Sequence, residues 1–212
     1  MNITFLTPMN QKLTFVHIPK NAGKSINAYI YQHGISPSSI HLTSHATIEE
    51  LKSSQIDLGL TFAVVRNPFT RAVSLYRYLF EVEMKKLYKE SLEMFPNKNP
   101  NFEWYDNFRQ EYGFLTFQQF CEQLPWMPMG NPQYKFIPVD IILRYETLNE
   151  DFKQIQNLLR TPSNPLFKIN STGECNVTTY YKNNNCAELI AAAYKNDFKL
   201  LGYSTDINNI SS

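Results

Sequence analysis

Thr14-Phe15-Val16-His17-Ile18-Pro19-Lys20-Asn21-Ala22-Gly23-Lys24-Ser25-Ile26 decides the fold: an apolar, partly β-branched run enters a turn of small and cationic residues and then a helical pattern. A strand that feeds a helix through such a turn leaves backbone N–H groups directed at one spot, where the helix macrodipole also favours negative charge. A phosphate suits that spot. Gly23-Lys24-Ser25 matches the tail of the G-x-x-x-x-G-K-[ST] nucleotide loop, but Ile18 stands where its first glycine belongs. The loop therefore binds phosphate in a different way.

A second junction lies at Leu60-Thr61-Phe62-Ala63-Val64-Val65-Arg66-Asn67-Pro68. Here a buried-type strand ends in arginine, followed by an N-cap residue and a proline suited to the first helical position. In the next helix Phe69, Ala72, Val73, Tyr76, Leu79 and Phe80 share one face, leaving Thr70, Arg71 and Ser74 on the other. Arg66 and Ser74 are expected to converge on a second anion, since a guanidinium fork and a hydroxyl both donate to phosphate oxygens.

Outward from these junctions, strands are expected at about residues 13 to 18, 60 to 65 and 139 to 144, with helices between them. The helices are read from Ser25 to about His33, Thr47 to Ser53, Pro68 to Glu90, Thr116 to Leu124, Asn149 to Leu159 and Ala187 to Leu200. Continuous apolar strands alternating with helices predict an α/β domain, a parallel sheet flanked by helices, formed by residues 1–212 as one unit. Glu146 and Asp151 read as structural, capping the helix around Asn149. The stretch from about 91 to 113 carries Trp104, Tyr105 and six further Phe, Tyr or Pro residues without a clean period. It reads as an acceptor-side insert whose rings pack on sugar C–H faces, or equally as an aromatic anchor for a long loop.

The 212 residues carry 20 Lys plus Arg against 19 Asp plus Glu, a formal charge of +1. No bulk field exists to hold nucleic acid or an anionic membrane, so recognition of anions is local. The N-terminus has neither the basic start nor the apolar run of a signal peptide, and no segment approaches the roughly 18 apolar residues of a membrane span. The expected location is the cytoplasm, peripheral to a membrane if the acceptor is lipid-linked. The three cysteines, Cys121, Cys175 and Cys186, show no metal-ligand spacing and read as reduced structural thiols.

Two phosphate sites on successive strand-to-helix junctions make the chain resemble the 3′-phosphoadenosine 5′-phosphosulfate-dependent sulfotransferases. More narrowly, it is similar to the carbohydrate branch that includes heparan sulfate 2-O-sulfotransferase and short bacterial enzymes. Family-like wording runs through His17 to Ser25, Phe62 to Tyr76, Ser44-His45-Ala46-Thr47, Gln133-Tyr134, Val139 to Glu146 and Asp197 to Tyr203. The resemblance implies a P-loop nucleotide-kinase-like core that moves a sulfuryl group to a hydroxyl of a carbohydrate or glycan, with no metal required. It also implies Lys20 as the catalytic lysine on the bridging oxygen, and Asn21, Ala22, Gly23, Lys24 and Ser25 around the 5′-phosphosulfate. Arg66 and Ser74 are implied at the 3′-phosphate, and Gln133 and Tyr134 near the acceptor.

His45 is the expected base, with His41 as the fallback; a neutral imidazole accepts a hydroxyl proton near pH 7 and loses that role as pH falls through about 6.5. Its alternative role is to help cap the helix near Thr47. His17 is expected to pack under the loop. Lys24 departs from the usual threonine or serine, adding a cation. Near the C-terminus Phe167 and Lys168 replace a Pro-His pair, while Asn170 keeps the position of a donor contact. One rival function is a nucleotide kinase or triphosphatase, opposed by Ile18 and by a third strand ending Ile142-Leu143-Arg144 without a metal-binding aspartate. The other is a non-catalytic bisphosphate- or glycan-binding relative, opposed by the presence of Lys20, Arg66, Ser74 and His45 together.

Overall fold

The computed structural model describes residues 2–40, 45–81, 103–127, 129–166, 175–182 and 184–210. Its elements in chain order are β1 (Ile3–Leu6), β2 (Lys12–Val16), α1 (Gly23–Gln32), β3 (Pro37–Ile40), α2 (Ile48–Ser53), β4 (Leu60–Val65) and α3 (Pro68–Tyr76). A π-helical turn, Arg77–Glu81, extends α3. Then come α4 (Glu103–Tyr112), α5 (Phe117–Gln123), a 3₁₀ turn at Gln133–Phe136, β5 (Ile141–Arg144), α6 (Leu148–Asp151), α7 (Lys153–Leu159), α8 (Val177–Tyr180), α9 (Cys186–Ala193) and α10 (Lys195–Leu201).

The sheet has five strands in the order β3-β1-β2-β4-β5. Strands β2, β4 and β5 run parallel, with Phe15 opposite Phe62 and Phe62 opposite Ile141. These are the three strands expected from the sequence. The expectation of a wholly parallel sheet is corrected: β1 pairs antiparallel with both β2 and β3, so the sheet is mixed. Both added strands are short, and β3 begins Pro37-Ser38-Ser39, a composition tolerated at a sheet edge because proline cannot donate to an inner ladder. A buried Thr4–Thr14 hydroxyl bond, 2.8 Å, ties β1 to β2.

Alternation along β4 supplies two cores. Phe62 and Val64 join Phe15, Ile26, Tyr29 and Phe152 on one face, while Ala63 and Val65 join Val16, Ile18, Leu51 and Phe136 on the other. The strands read as continuous apolar runs because both faces are covered. A third cluster, built on Phe69, Val73, Phe120, Ile190 and Phe198, packs α3, α5, α9 and α10 together. Cys121 and Cys186 lie buried in it as free thiols, as expected, and burial pushes the Cys121 thiol up. No helix among the described residues is long and apolar enough to cross a membrane.

Helix ends follow the sequence closely, with three differences. The helix expected from Asn149 to Leu159 breaks at Phe152 into α6 and α7. The last helix breaks at Tyr194 into α9 and α10, and the helix expected to Glu90 is described only to Glu81. Of the aromatic insert, residues 91–102 lie outside the described residues and the rest forms α4. Phe108 is buried there, 5.6 Å from the Phe80 ring and 4.8 Å from that of Tyr112, which is the anchoring arrangement for this half of the segment.

Candidate active site

The phosphate loop begins where β2 ends and runs from His17 to the first turn of α1. Two of its residues take left-handed backbone conformations without being glycine, Lys20 at φ 67° and Ala22 at φ 60°. Each such residue costs about 1 kcal/mol or more, so surrounding contacts must impose the turn. Those contacts come from the β4–α3 junction and α3. Arg71 Nε donates to the Pro19 carbonyl at 3.1 Å, and Arg66 Nη1 donates to the Lys20 carbonyl at 3.2 Å. With these carbonyls held toward α3, the loop wraps the N-terminus of α1. There Ala22 supplies no capping side chain and the first turn has no acid, whereas α2, α3 and α5 are capped by Thr47, Asn67 and Thr116. A helix N-terminus built this way favours an anion.

Gly23 is required by packing. A Cβ there would lie 2.0 Å from His17 Nε2, so the imidazole rests directly on the glycine backbone. His17 thus packs under the loop as expected. Lys24 is exposed at the first turn, and Ser25 is buried behind it.

Asn67 caps α3 through Phe69 N–H at 2.9 Å, with Pro68 at the first helical position, as read from the sequence. Arg66 precedes this cap. Its side chain is half-buried, donates through Nε to Thr70 Oγ1 at 2.9 Å, and lies over the Tyr145 ring at 3.9 Å. Burial lowers its pKa, and Tyr145 and Glu146 oppose that shift. A guanidinium nonetheless stays charged. Glu146 is itself committed: Oε1 accepts from Asn67 N–H and Oε2 from the Tyr203 hydroxyl, each at 2.8 Å. The expected capping of the helix around Asn149 by Glu146 is therefore corrected; it stabilises the start of α3. Asp151 likewise turns back, accepting from Arg144 N–H at 2.7 Å.

Thr70 and Ser74, four residues apart in α3, share one row; Arg66 lies before the helix and reaches that row through its bond to Thr70. The Lys20 ammonium lies 3.9 Å from the centre of the Tyr78 ring in the π turn that follows, and Ser74 is half-buried. Four cations, Lys20, Lys24, Arg66 and Arg71, belong to the loop and the start of α3, in a chain whose net charge is only +1.

The Gln133 and Asn21 side chains form a clamp between the two loops. Gln133 is fully buried; its Oε1 accepts from Arg66 N–H at 2.9 Å and from Asn21 Nδ2 at 2.7 Å, while its Nε2 donates to the Arg66 carbonyl at 2.7 Å. The Gln133 amide is thus fully engaged within the fold, at the start of a 3₁₀ turn. Asn21 is also fully buried and donates to the Val64 carbonyl at 2.7 Å, so its side chain locks the loop to β4. Asp197 of α10 holds this clamp from behind, accepting from Gln133 N–H at 2.8 Å and Tyr134 N–H at 2.9 Å. Tyr134 itself is half-buried at the end of the clamp.

His45 is half-buried, its ring 4.8 Å from that of His17 and its Nδ1 3.4 Å from the His17 carbonyl. A carbonyl only accepts, so the proton belongs on Nδ1 and the lone pair on Nε2, the form a base needs. Burial lowers its pKa from 6.5 to about 4, so it is neutral across the physiological range. The helix near it is capped by Thr47 with a reciprocal Glu50 contact, leaving no capping role for His45. His41, Asn170 and the side chains of Trp104 and Tyr105 lie outside the described residues; the Trp104 and Tyr105 backbones open α4.

Residues the sequence reading gave no role are Asn2, Arg71, Tyr78, Tyr145 and Asp197. Asn2, fully buried, accepts from His17 N–H at 2.7 Å and donates to the Ala46 carbonyl at 3.2 Å, fixing both histidine-bearing segments. Their signal lies in long-range contacts. Only the arginine pair five residues apart was visible locally.

A model of the sulfotransferase family matches residues 4–204. No curated protein and no solved structure matches the chain.

Proposed function

The chain belongs to the sulfotransferase family, and from that premise we propose that it moves a sulfuryl group from 3′-phosphoadenosine 5′-phosphosulfate to a hydroxyl of a carbohydrate acceptor, in the cytoplasm and without a metal. The observation that carries the donor assignment is Arg66. A half-buried guanidinium beside a carboxylate whose oxygens accept from Asn67 N–H and the Tyr203 hydroxyl keeps N–H donors for an incoming anion. Ser74 stands on the same row, four residues beyond Thr70. These two hold the 3′-phosphate, and the N-terminus of α1 with Lys24 and Ser25 holds the 5′-phosphosulfate.

In this reading Lys20 donates to the oxygen that bridges phosphorus and sulfur. The S–O bond to that oxygen breaks as the acceptor oxygen bonds to sulfur in line, and Lys20 meets the charge growing on the departing bisphosphate. His45 Nε2 takes the acceptor proton. Trp104, Tyr105 and Tyr134 are assigned to the acceptor side, with the aromatic stretch near residues 91–113 as its wall.

Thermal denaturation in chelator tests the donor. Adenosine 3′,5′-bisphosphate at a hundredfold its dissociation constant is expected to add about 2.7 kcal/mol. Adenosine 5′-phosphate is expected to add far less, and Arg66→Ala to abolish the difference. Equal stabilisation by both nucleotides in the wild-type protein would overturn the Arg66–Ser74 assignment. Stabilisation by ATP with magnesium alone would favour a kinase instead.

A further inference from the structure

Lys20 points its ammonium at an aromatic face, and the backbone of the facing residue is unusual. Tyr78 belongs to the five-residue π turn Arg77–Glu81, a widening of α3 one residue after its regular part ends. Such turns inside helices mark functional sites more often than ordinary packing. The turn is fixed at its far end: Glu81 accepts from the Tyr180 hydroxyl at 2.8 and 3.0 Å and from Arg77 Nε at 3.3 Å. Tyr78 is half-buried, and the Lys20 ammonium stands 3.9 Å from its ring centre.

We propose that Tyr78 is a positioning residue for Lys20: its ring face parks the ammonium and yields it to the leaving oxygen of the donor. The proposal rests on the reading of Lys20 as the catalytic cation. A ring face attracts an ammonium through its quadrupole and so orients it without adding net negative charge. A carboxylate in the same place would neutralise it and compete with the phosphosulfate. The attraction is weaker than a charge-assisted bond to a phosphate oxygen, so the donor displaces the ring. Lys20 also sits at φ 67°, where loop strain limits how its side chain can leave the turn, and the ring fixes the end that the backbone cannot.

The test uses the whole chain with Tyr78→Phe, Tyr78→Leu, Lys20→Ala and Lys20→Ala/Tyr78→Leu. Lysines are reductively methylated with carbon-13, and the Lys20 signal is identified by its loss in Lys20→Ala. Expected is an upfield ring-current displacement in the wild type and Tyr78→Phe, absent in Tyr78→Leu, and reduced when adenosine 3′,5′-bisphosphate binds. In single turnovers of 3′-phosphoadenosine 5′-phosphosulfate with water as acceptor, Tyr78→Phe should keep its rate and Tyr78→Leu should lose about tenfold. Affinity for the bisphosphate should stay within about twofold, and Tyr78→Leu should cost nothing further in the Lys20→Ala background. A wild-type rate in Tyr78→Leu beside a dead Lys20→Ala overturns the proposal. A wild-type rate in Lys20→Ala overturns the reading of Lys20 instead. Should Tyr78→Leu fail to fold, a wild-type Lys20 signal at the ordinary lysine position overturns the proposal by itself.

Discussion

Gly23 has no room for a side chain because the His17 imidazole rests on it, and His17 is in turn confined between the rings of Phe15 at 5.6 Å and His45 at 4.8 Å. Gly23→Ala is therefore expected to displace the loop and weaken binding of adenosine 3′,5′-bisphosphate at least tenfold, on the order of 1.4 kcal/mol. Gly23→Ala/His17→Ala should recover most of that affinity, since the clash is with one ring; isothermal titration reads both variants. His45 makes a second prediction. Its pKa, lowered by burial to about 4, means the basic form persists as pH falls past 6.5. Turnover limited by this base should hold at pH 5 and decline only toward pH 4, a correction to the 6.5 expected of an unperturbed imidazole. The same shift bears on stability. Between about 4 and 6.5 the unfolded chain binds a proton that the folded chain does not, so His45 contributes stability that is complete above 6.5 and lost as pH falls toward 4. A pH profile of the wild type beside His45→Ala separates the two effects, because the variant should lose the catalytic limb and on the order of 10²-fold in rate.

At the scale of elements, the site is a joint between β2–α1 and β4–α3 closed by the 3₁₀ turn Gln133–Phe136. Gln133 bonds the backbone of Arg66 twice and the side chain of Asn21 once, so one amide sets the spacing of the β2–α1 and β4–α3 loops. Gln133→Ala is expected to cost about 2–4 kcal/mol, because it strands buried donors and acceptors on both loops. It should also weaken bisphosphate binding, whereas a residue that only touched the acceptor would leave donor affinity and melting temperature unchanged. Calorimetry and titration on one variant therefore distinguish the clamp from an acceptor contact.

Across the whole molecule, the C-terminal helix reaches the site through Asp197. This carboxylate is fully buried; burial raises its pKa, opposed by the two N–H groups of Gln133 and Tyr134 that it accepts from. Asp197→Ala is expected to destabilise the fold by about 2–4 kcal/mol, measured by chemical denaturation, while a substitution at exposed Leu200 in the same helix should change stability by less than about 0.5 kcal/mol. A chain cut before α10 would lose this support, although both phosphate loops lie far upstream in sequence.

The sequence by itself determined what local rules govern. The three parallel strands were legible from their apolar runs, the start of α3 from Asn67-Pro68, and the strand-to-helix junction at β2–α1 from the turn of small residues between them, because periodicity and capping act within a few residues. The presence of Lys20, Arg66, Ser74 and His45 was likewise readable as chemistry, and the family match spans the stretch that holds them. Tertiary structure decided the rest. The antiparallel pairing of β1 and β3, the inward turn of Gln133 and Asn21, the partners of Glu146 and the depressed pKa of His45 all depend on groups brought together from distant parts of the chain. Strand direction needs a partner strand, and desolvation needs neighbours to exclude water; neither exists until the chain has packed.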